Sequence, residues 1–100
     1  MDFIKKLLGM KTQDDYKEML QKGATIIDVR TSGEFKGGHP KNAVNIPLQN
    51  MHTSIEKIKK MKQPILVCCA SGMRSAQAKS IIASHGIEVH NAGGWKNLDF

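Results

Sequence analysis

Cys69 and Arg74 stand with four residues between them, Ala70, Ser71, Gly72 and Met73, and Ser75 follows directly. A cysteine attacks as its thiolate, so chemistry at Cys69 requires surroundings that favour negative charge on sulfur. The flanking sequence supplies them. Behind Pro64, Ile65 to Cys68 form a short continuous apolar run, the pattern of a strand buried on both faces of a parallel sheet. After the loop, Ala76, Ala78, Ile81, Ile82 and Ala83 recur at helical spacing, and Gly86 supplies a left-handed stop. A loop joining the carboxyl end of a buried strand to the amino end of a helix gathers unpaired backbone N–H groups and forms an anion cradle. With Cys69 at its first position and Arg74 at its last, that cradle lowers the thiol pKa from a free value of about 8.5. Gly72 permits a tight turn, Ser71 and Ser75 offer hydroxyl donors, and Ser75 is the expected N-cap.

The loop Cys69-Ala70-Ser71-Gly72-Met73-Arg74-Ser75 resembles the active-site loop of the rhodanese sulfurtransferase family, in which four residues separate cysteine from arginine. Three more segments resemble that family in the same order: Ile27-Asp28-Val29-Arg30 with Glu34 and Phe35; Gly38-His39 through Ala43-Val44-Asn45-Ile46-Pro47; and Asn91-Ala92-Gly93-Gly94-Trp95. The resemblance covers a whole single domain. It implies an α/β fold, a small and mostly parallel sheet of about five strands flanked by helices on both faces. It also implies transfer of sulfane sulfur through a persulfide on Cys69, with a small anionic donor such as thiosulfate and a thiol or sulfur-carrier protein as acceptor. Residues Ala70 to Ser75 would then form the substrate loop, with Ala70 to Met73 setting entrance size and Arg74 orienting the donor. Asp28, Arg30 and Glu34 would brace the site as a salt-bridged cluster, and His39 would be structural. The chain departs from the family at Pro40 and Asn42, where an aliphatic residue and a glycine are usual. Asparagine tolerates a left-handed backbone, so the turn is expected to survive.

Composition narrows the field. One hundred residues make one domain, read as 10–100 behind an N-terminal extension 1–9, with 40% hydrophobic and 24% charged residues. The formal charge of +6 is supplied almost wholly by lysine, and one tyrosine and one tryptophan give little for stacking bases, so no nucleic-acid partner is expected. Arg30 and Arg74 are the only arginines, and both fall inside the motifs. Adjacent cysteines do not close an ordinary disulfide, and Cys68, Cys69 and four histidines lack zinc-site spacing. No metal or other cofactor is expected. No apolar run is long enough to span a membrane, and the N-terminal residues lack the uninterrupted core of a secretory signal. A cytoplasmic monomer is expected.

Around the loop, residues 2–8 could form a helical turn with Phe3, Ile4, Leu7 and Leu8 on one side. Thr12 and Asp15 read as a capping box opening a helix that carries Tyr16, Met19 and Leu20. Strands are expected at Ala24 to Val29, Ala43 to Ile46 and Glu88 to His90. Leu48, Met51, Ile55, Ile58 and Met61 predict a helix from about Asn50 to Lys62. Gly93-Gly94 reads as a flexible return toward the site. Neighbours on a strand face opposite sides, so with Cys69 turned to the loop Cys68 is expected in the core.

Two rival chemistries remain. Cysteine phosphatases and arsenate reductases have related loops with one further residue between cysteine and arginine, which makes room for a tetrahedral oxyanion. A rhodanese-like binding or regulatory module with little turnover is the other alternative. Such modules often lose the cysteine that this chain retains.

Overall fold

The computed structural model describes residues 11–100, and the expected helical turn at 2–8 lies outside the described residues. Four strands, β1 (Thr25–Asp28), β2 (Val44–Asn45), β3 (Ile65–Cys69) and β4 (Val89–Gly94), form one sheet in the order β2-β1-β3-β4. Every pairing is parallel. The described residues thus hold four strands where about five were expected. Parallel neighbours need crossovers, which run through α2 (Ser32–Lys36), α3 (Ile55–Lys59) and α4 (Met73–Ala83), with α1 (Gln13–Gln21) preceding β1.

Side-chain alternation divides the core in two. Ile27, Ile65, Val67 and Cys69 pack on one face with Met51, Ile55, Ile58, Ala78 and Ile82 of the α3 and α4 layer. Ile26, Leu66, Cys68 and Ala92 pack on the other with Tyr16 of α1 and Leu98 of the C-terminal 3₁₀ turn Trp95–Leu98. Both faces of β3 are therefore buried, which is why it reads as an unbroken apolar run.

Helix starts follow the predicted chemistry. At α1 the Thr12 hydroxyl accepts the Asp15 N–H at 3.3 Å, and the Asp15 carboxylate accepts the Thr12 N–H at 2.8 Å. Asn42 adopts φ 65°, the left-handed conformation its turn requires. The helix expected from about Asn50 to Lys62 is broken, however. Two 3₁₀ turns, Leu48–Asn50 and His52–Ser54, precede the short α3. The Thr53 hydroxyl donates to the Asn50 carbonyl and the Ser54 N–H to the Met51 carbonyl, a three-residue closure that tightens the backbone. Apolar spacing marked the buried side without distinguishing three residues per turn from 3.6.

Strand β4 also runs further than Glu88 to His90. Gly93 and Gly94 lie within it, paired with Cys68 and Cys69 rather than forming a flexible return. Its register slips beside β3: Val67 faces Asn91, Cys68 faces Gly93, and Ala92 is the extra residue of a β-bulge. No helix among the described residues is long and apolar enough to cross a membrane.

Candidate active site

Cys69 ends β3 at the carboxyl edge of the parallel sheet, where open α/β sheets place their sites. Its side chain is buried, at 1% exposure, beneath the exposed loop residues Ala70 and Ser71. The Gly72 N–H reaches its Sγ at 2.9 Å and the Ser75 N–H at 3.4 Å, while the Ser75 Oγ stands 3.3 Å away. Burial alone would raise the thiol pKa. The Ser75 hydroxyl and the N–H groups of Ser75, Gly72 and Ser71 outweigh that cost, and the net shift is downward. Hydrogen bonds and the amino end of α4 thus favour negative charge on the Cys69 sulfur.

The helix begins earlier than its sequence suggested. Gly72, at φ 101°, is the N-cap of α4, and its carbonyl accepts the Ala76 N–H at 3.1 Å. Ser75 is therefore not the N-cap but a buried first-turn residue, whose N–H points toward the sulfur and whose Oγ is within reach of both Cys69 Sγ and Asn91 Oδ1. A Cβ on Gly72 would lie 3.3 Å from the Gly93 Cα, so the left-handed turn and close packing on β4 both need glycine. Met73, just after it, is 76% exposed.

Cys68 turns to the opposite core, as alternation requires. Burial, then the Asp28 carboxylate, push its thiol up to about 12. Both effects disfavour a Cys68 thiolate near neutral pH.

The charged residues expected as one cluster form two directly bonded pairs, Asp28 with Arg30 and Glu34 with Arg74. Asp28 is fully buried and shares the parity of Ile26 and Cys68. Its carboxylate accepts the Arg30 Nε at 3.0 Å and Nη2 at 2.7 Å, and its Oδ1 accepts the Arg30 N–H. Arg30 also donates to the Gly38 carbonyl and lies over the Trp95 ring at 4.9 Å. Arg74 instead pairs with Glu34, Nη1 to Oε1 at 2.7 Å and Nη2 to Oε2 at 3.0 Å. Glu34 accepts the Thr31 N–H as well, so one carboxylate both caps α2 and clamps α4. The Arg74 guanidinium, the Thr31 backbone and its hydroxyl together hold the Glu34 carboxyl down at about 2. His39 stacks on Phe35 at 3.6 Å, and its Nδ1 lies 2.7 Å from the Phe35 carbonyl, so its ring is occupied in the turn.

Sequence reasoning left Asn91 without a role. On β4 opposite Val67, it accepts the Ser75 hydroxyl at 2.6 Å and donates to the Gly72 carbonyl at 3.1 Å. Its place beside the loop depends on a strand register that local pattern does not carry. Next to Arg74 an open cleft of about 410 Å³ runs between Val29, Thr31, Pro47 and Leu48. Another, of about 320 Å³, is lined by Leu20, Ala24, Thr25 and Leu98, at the end of β1 remote from Cys69.

The rhodanese-like domain family matches residues 12–99. The uncharacterized protein YqhL of Bacillus subtilis is 32% identical over 96 residues, spanning 94% of this chain and 75% of its own length. Thiosulfate sulfurtransferase PspE of Escherichia coli is 35% identical over 74 residues, 72% of this chain and 71% of PspE. Among solved structures, a rhodanese-like domain protein from Staphylococcus aureus superimposes with a TM-score of 0.74 at 28% identity, covering 89% of this chain and 88% of that one. It is through the sheet and the helices that position Cys69, and not through the loop alone, that the chain belongs to the rhodanese-like domain family.

Proposed function

We propose that the protein is a sulfurtransferase that carries sulfane sulfur on Cys69, taken from thiosulfate or a persulfide donor and given to a thiol or sulfur-carrier protein. The observation that carries this reading is the set of polar groups on one sulfur: the Gly72 N–H at 2.9 Å and the Ser75 N–H at 3.4 Å donate to it, and the Ser75 Oγ stands 3.3 Å away. These dipoles are fixed by the strand-to-helix turn, so stabilising charge costs little reorganisation.

In the first half-reaction the Cys69 thiolate attacks the outer sulfur of thiosulfate. A new S–S bond forms, the bond to the sulfonyl sulfur breaks, and sulfite leaves with the electron pair. The product is a Cys69 persulfide, whose terminal negative charge the loop N–H groups can receive. In the second, an acceptor nucleophile takes the outer sulfur and Cys69 departs as thiolate. No proton donor and no redox partner is required, which suits a site where His39 is held in a turn.

Arg74 serves this chemistry mainly by fixing α4 to α2, because both terminal nitrogens are engaged by Glu34. Its charge still favours anions near the mouth, moderated by its partner. The cleft beside it, apolar at Val29, Pro47 and Leu48 and polar at Thr31 and Arg74, offers room for an acceptor larger than thiosulfate. Both cysteines are free thiols, which suits the reducing cytoplasm. The test is thiocyanate production from thiosulfate and cyanide: activity in the wild type and its loss in Cys69→Ser are expected. A folded, reduced protein inactive with both thiosulfate and persulfide donors would favour the binding-module reading.

A further inference from the structure

The Asn91 side chain is fixed at both ends. Its Nδ2 donates to the Gly72 carbonyl at 3.1 Å, and its Oδ1 accepts the Gly93 N–H at 2.9 Å. Turned over, the amide would set oxygen against oxygen and N–H against N–H, so only one orientation satisfies both neighbours. The Tyr16 hydroxyl donates to the Asn91 backbone carbonyl at 3.3 Å, adding a tie from α1. Asn91 Oδ1 is thereby held 2.6 Å from the Ser75 Oγ, on the side away from Cys69 Sγ at 3.3 Å.

Ser75 is fully buried, and its hydroxyl has one proton for two acceptors. Directed at Asn91, that proton leaves an oxygen lone pair facing the sulfur, which suits a thiol S–H. Directed at the sulfur, it suits a thiolate and leaves Asn91 Oδ1 with the Gly93 N–H alone. We propose that Asn91 is a positioning residue for Cys69: it competes with the sulfur for the single Ser75 proton, holding it while Cys69 is a thiol and yielding it when the sulfur becomes charged. The step is a rotation of the hydroxyl, with no bond to a heavy atom made or broken.

Other charges near the sulfur are already committed. Arg74 on α4 is paired with Glu34 of α2, and Arg30 with Asp28 lies on the opposite face of the sheet. Cys68 of β3 also faces away, and His90 of β4 is bonded to Glu88. The Ser75 proton is therefore the adjustable donor beside Cys69. This inference deepens the proposed sulfur transfer and rests on it only for its catalytic consequence, since the thiol can be titrated without turnover.

The experiment follows the pH dependence of iodoacetamide modification at Cys69, mapped by peptide mass, in wild type, Asn91→Asp, Ser75→Ala and the double variant. A carboxylate should hold the Ser75 proton more firmly. Asn91→Asp is expected to raise the Cys69 pKa by roughly one pH unit more with Ser75 present than in the Ser75→Ala background, the order of one hydrogen bond. Loss of the Gly72 contact and the added charge act in both backgrounds and cancel in that difference. Asn91→Ala gives a second cycle whose difference has the opposite sign, the pKa lying lower with Ser75 present than its shift in the Ser75→Ala background would give. Equal shifts in both backgrounds, or none, would overturn the proposal and leave Asn91 as a brace of the loop.

Discussion

Arg74 meets Glu34 through two hydrogen bonds, of 2.7 and 3.0 Å, that tie the first turn of α4 to the first turn of α2. The arginine that a sequence reading gives to substrate is thus also a clamp on the helix whose amino end faces Cys69. Because the Glu34 carboxyl is held at about 2, below its unfolded value of about 4.3, the pair contributes stability above the unfolded pKa. That contribution falls as pH drops from about 4.3 towards 2. Thermal unfolding of wild type and Glu34→Gln should therefore differ at neutral pH and converge in acid. A difference that persists unchanged to the lowest pH would contradict the assignment.

The Asp28–Arg30 pair is of another kind, since its members are 0% and 5% exposed. Removing one partner leaves the other charge buried without compensation, at a cost of about 3 kcal/mol. Asp28→Ala should show that loss in chemical denaturation. The fraction that remains folded should keep its activity, because the pair packs on the face of the sheet away from Cys69.

Gly72 should be intolerant for two separable reasons. Its φ of 101° costs a residue bearing a Cβ roughly 1–2 kcal/mol. The new atom would also meet the Gly93 Cα at 3.3 Å and press the turn away from β4. Gly72→Ala should both destabilise the protein and raise the Cys69 pKa, because the N–H at 2.9 Å from the sulfur moves with the turn. The pH profile of thiol alkylation, measured beside the denaturation midpoint, checks both.

The two adjacent thiols should behave as unlike groups. Iodoacetamide should label Cys69 with a rate that rises through a pKa lowered by the hydrogen bonds to its sulfur. Cys68, buried and pushed up to about 12, should stay unlabelled until the protein unfolds. Peptide mapping after timed modification distinguishes them.

Sequence pattern carried whatever depended on near neighbours. The β3 run, the Thr12 and Asp15 capping box and the opposite facing of Cys68 and Cys69 all follow from side-chain chemistry and local periodicity. What it carried poorly depended on distant partners or turn geometry. Leu48, Met51, Ile55 and Ile58 mark a buried stripe whether the turns are 3₁₀ or α, so the broken helix was hidden. Ser75 resembled an N-cap, but Gly72 starts the helix by turning left-handed. Glu34 is separated from Arg30 by three residues yet pairs with Arg74, because Arg30 folds back on Asp28, two residues before it. Asn91 reaches the site through its register opposite Val67, a feature of strand pairing.

Intact mass shows whether Cys69 carries the sulfur. Reduced wild type, Cys69→Ser and Cys68→Ser are each treated briefly with thiosulfate and weighed before and after cyanide. One added sulfur atom is expected in wild type and Cys68→Ser, removed by cyanide, and none in Cys69→Ser. An adduct that survives in Cys69→Ser, or that disappears in Cys68→Ser, would contradict it.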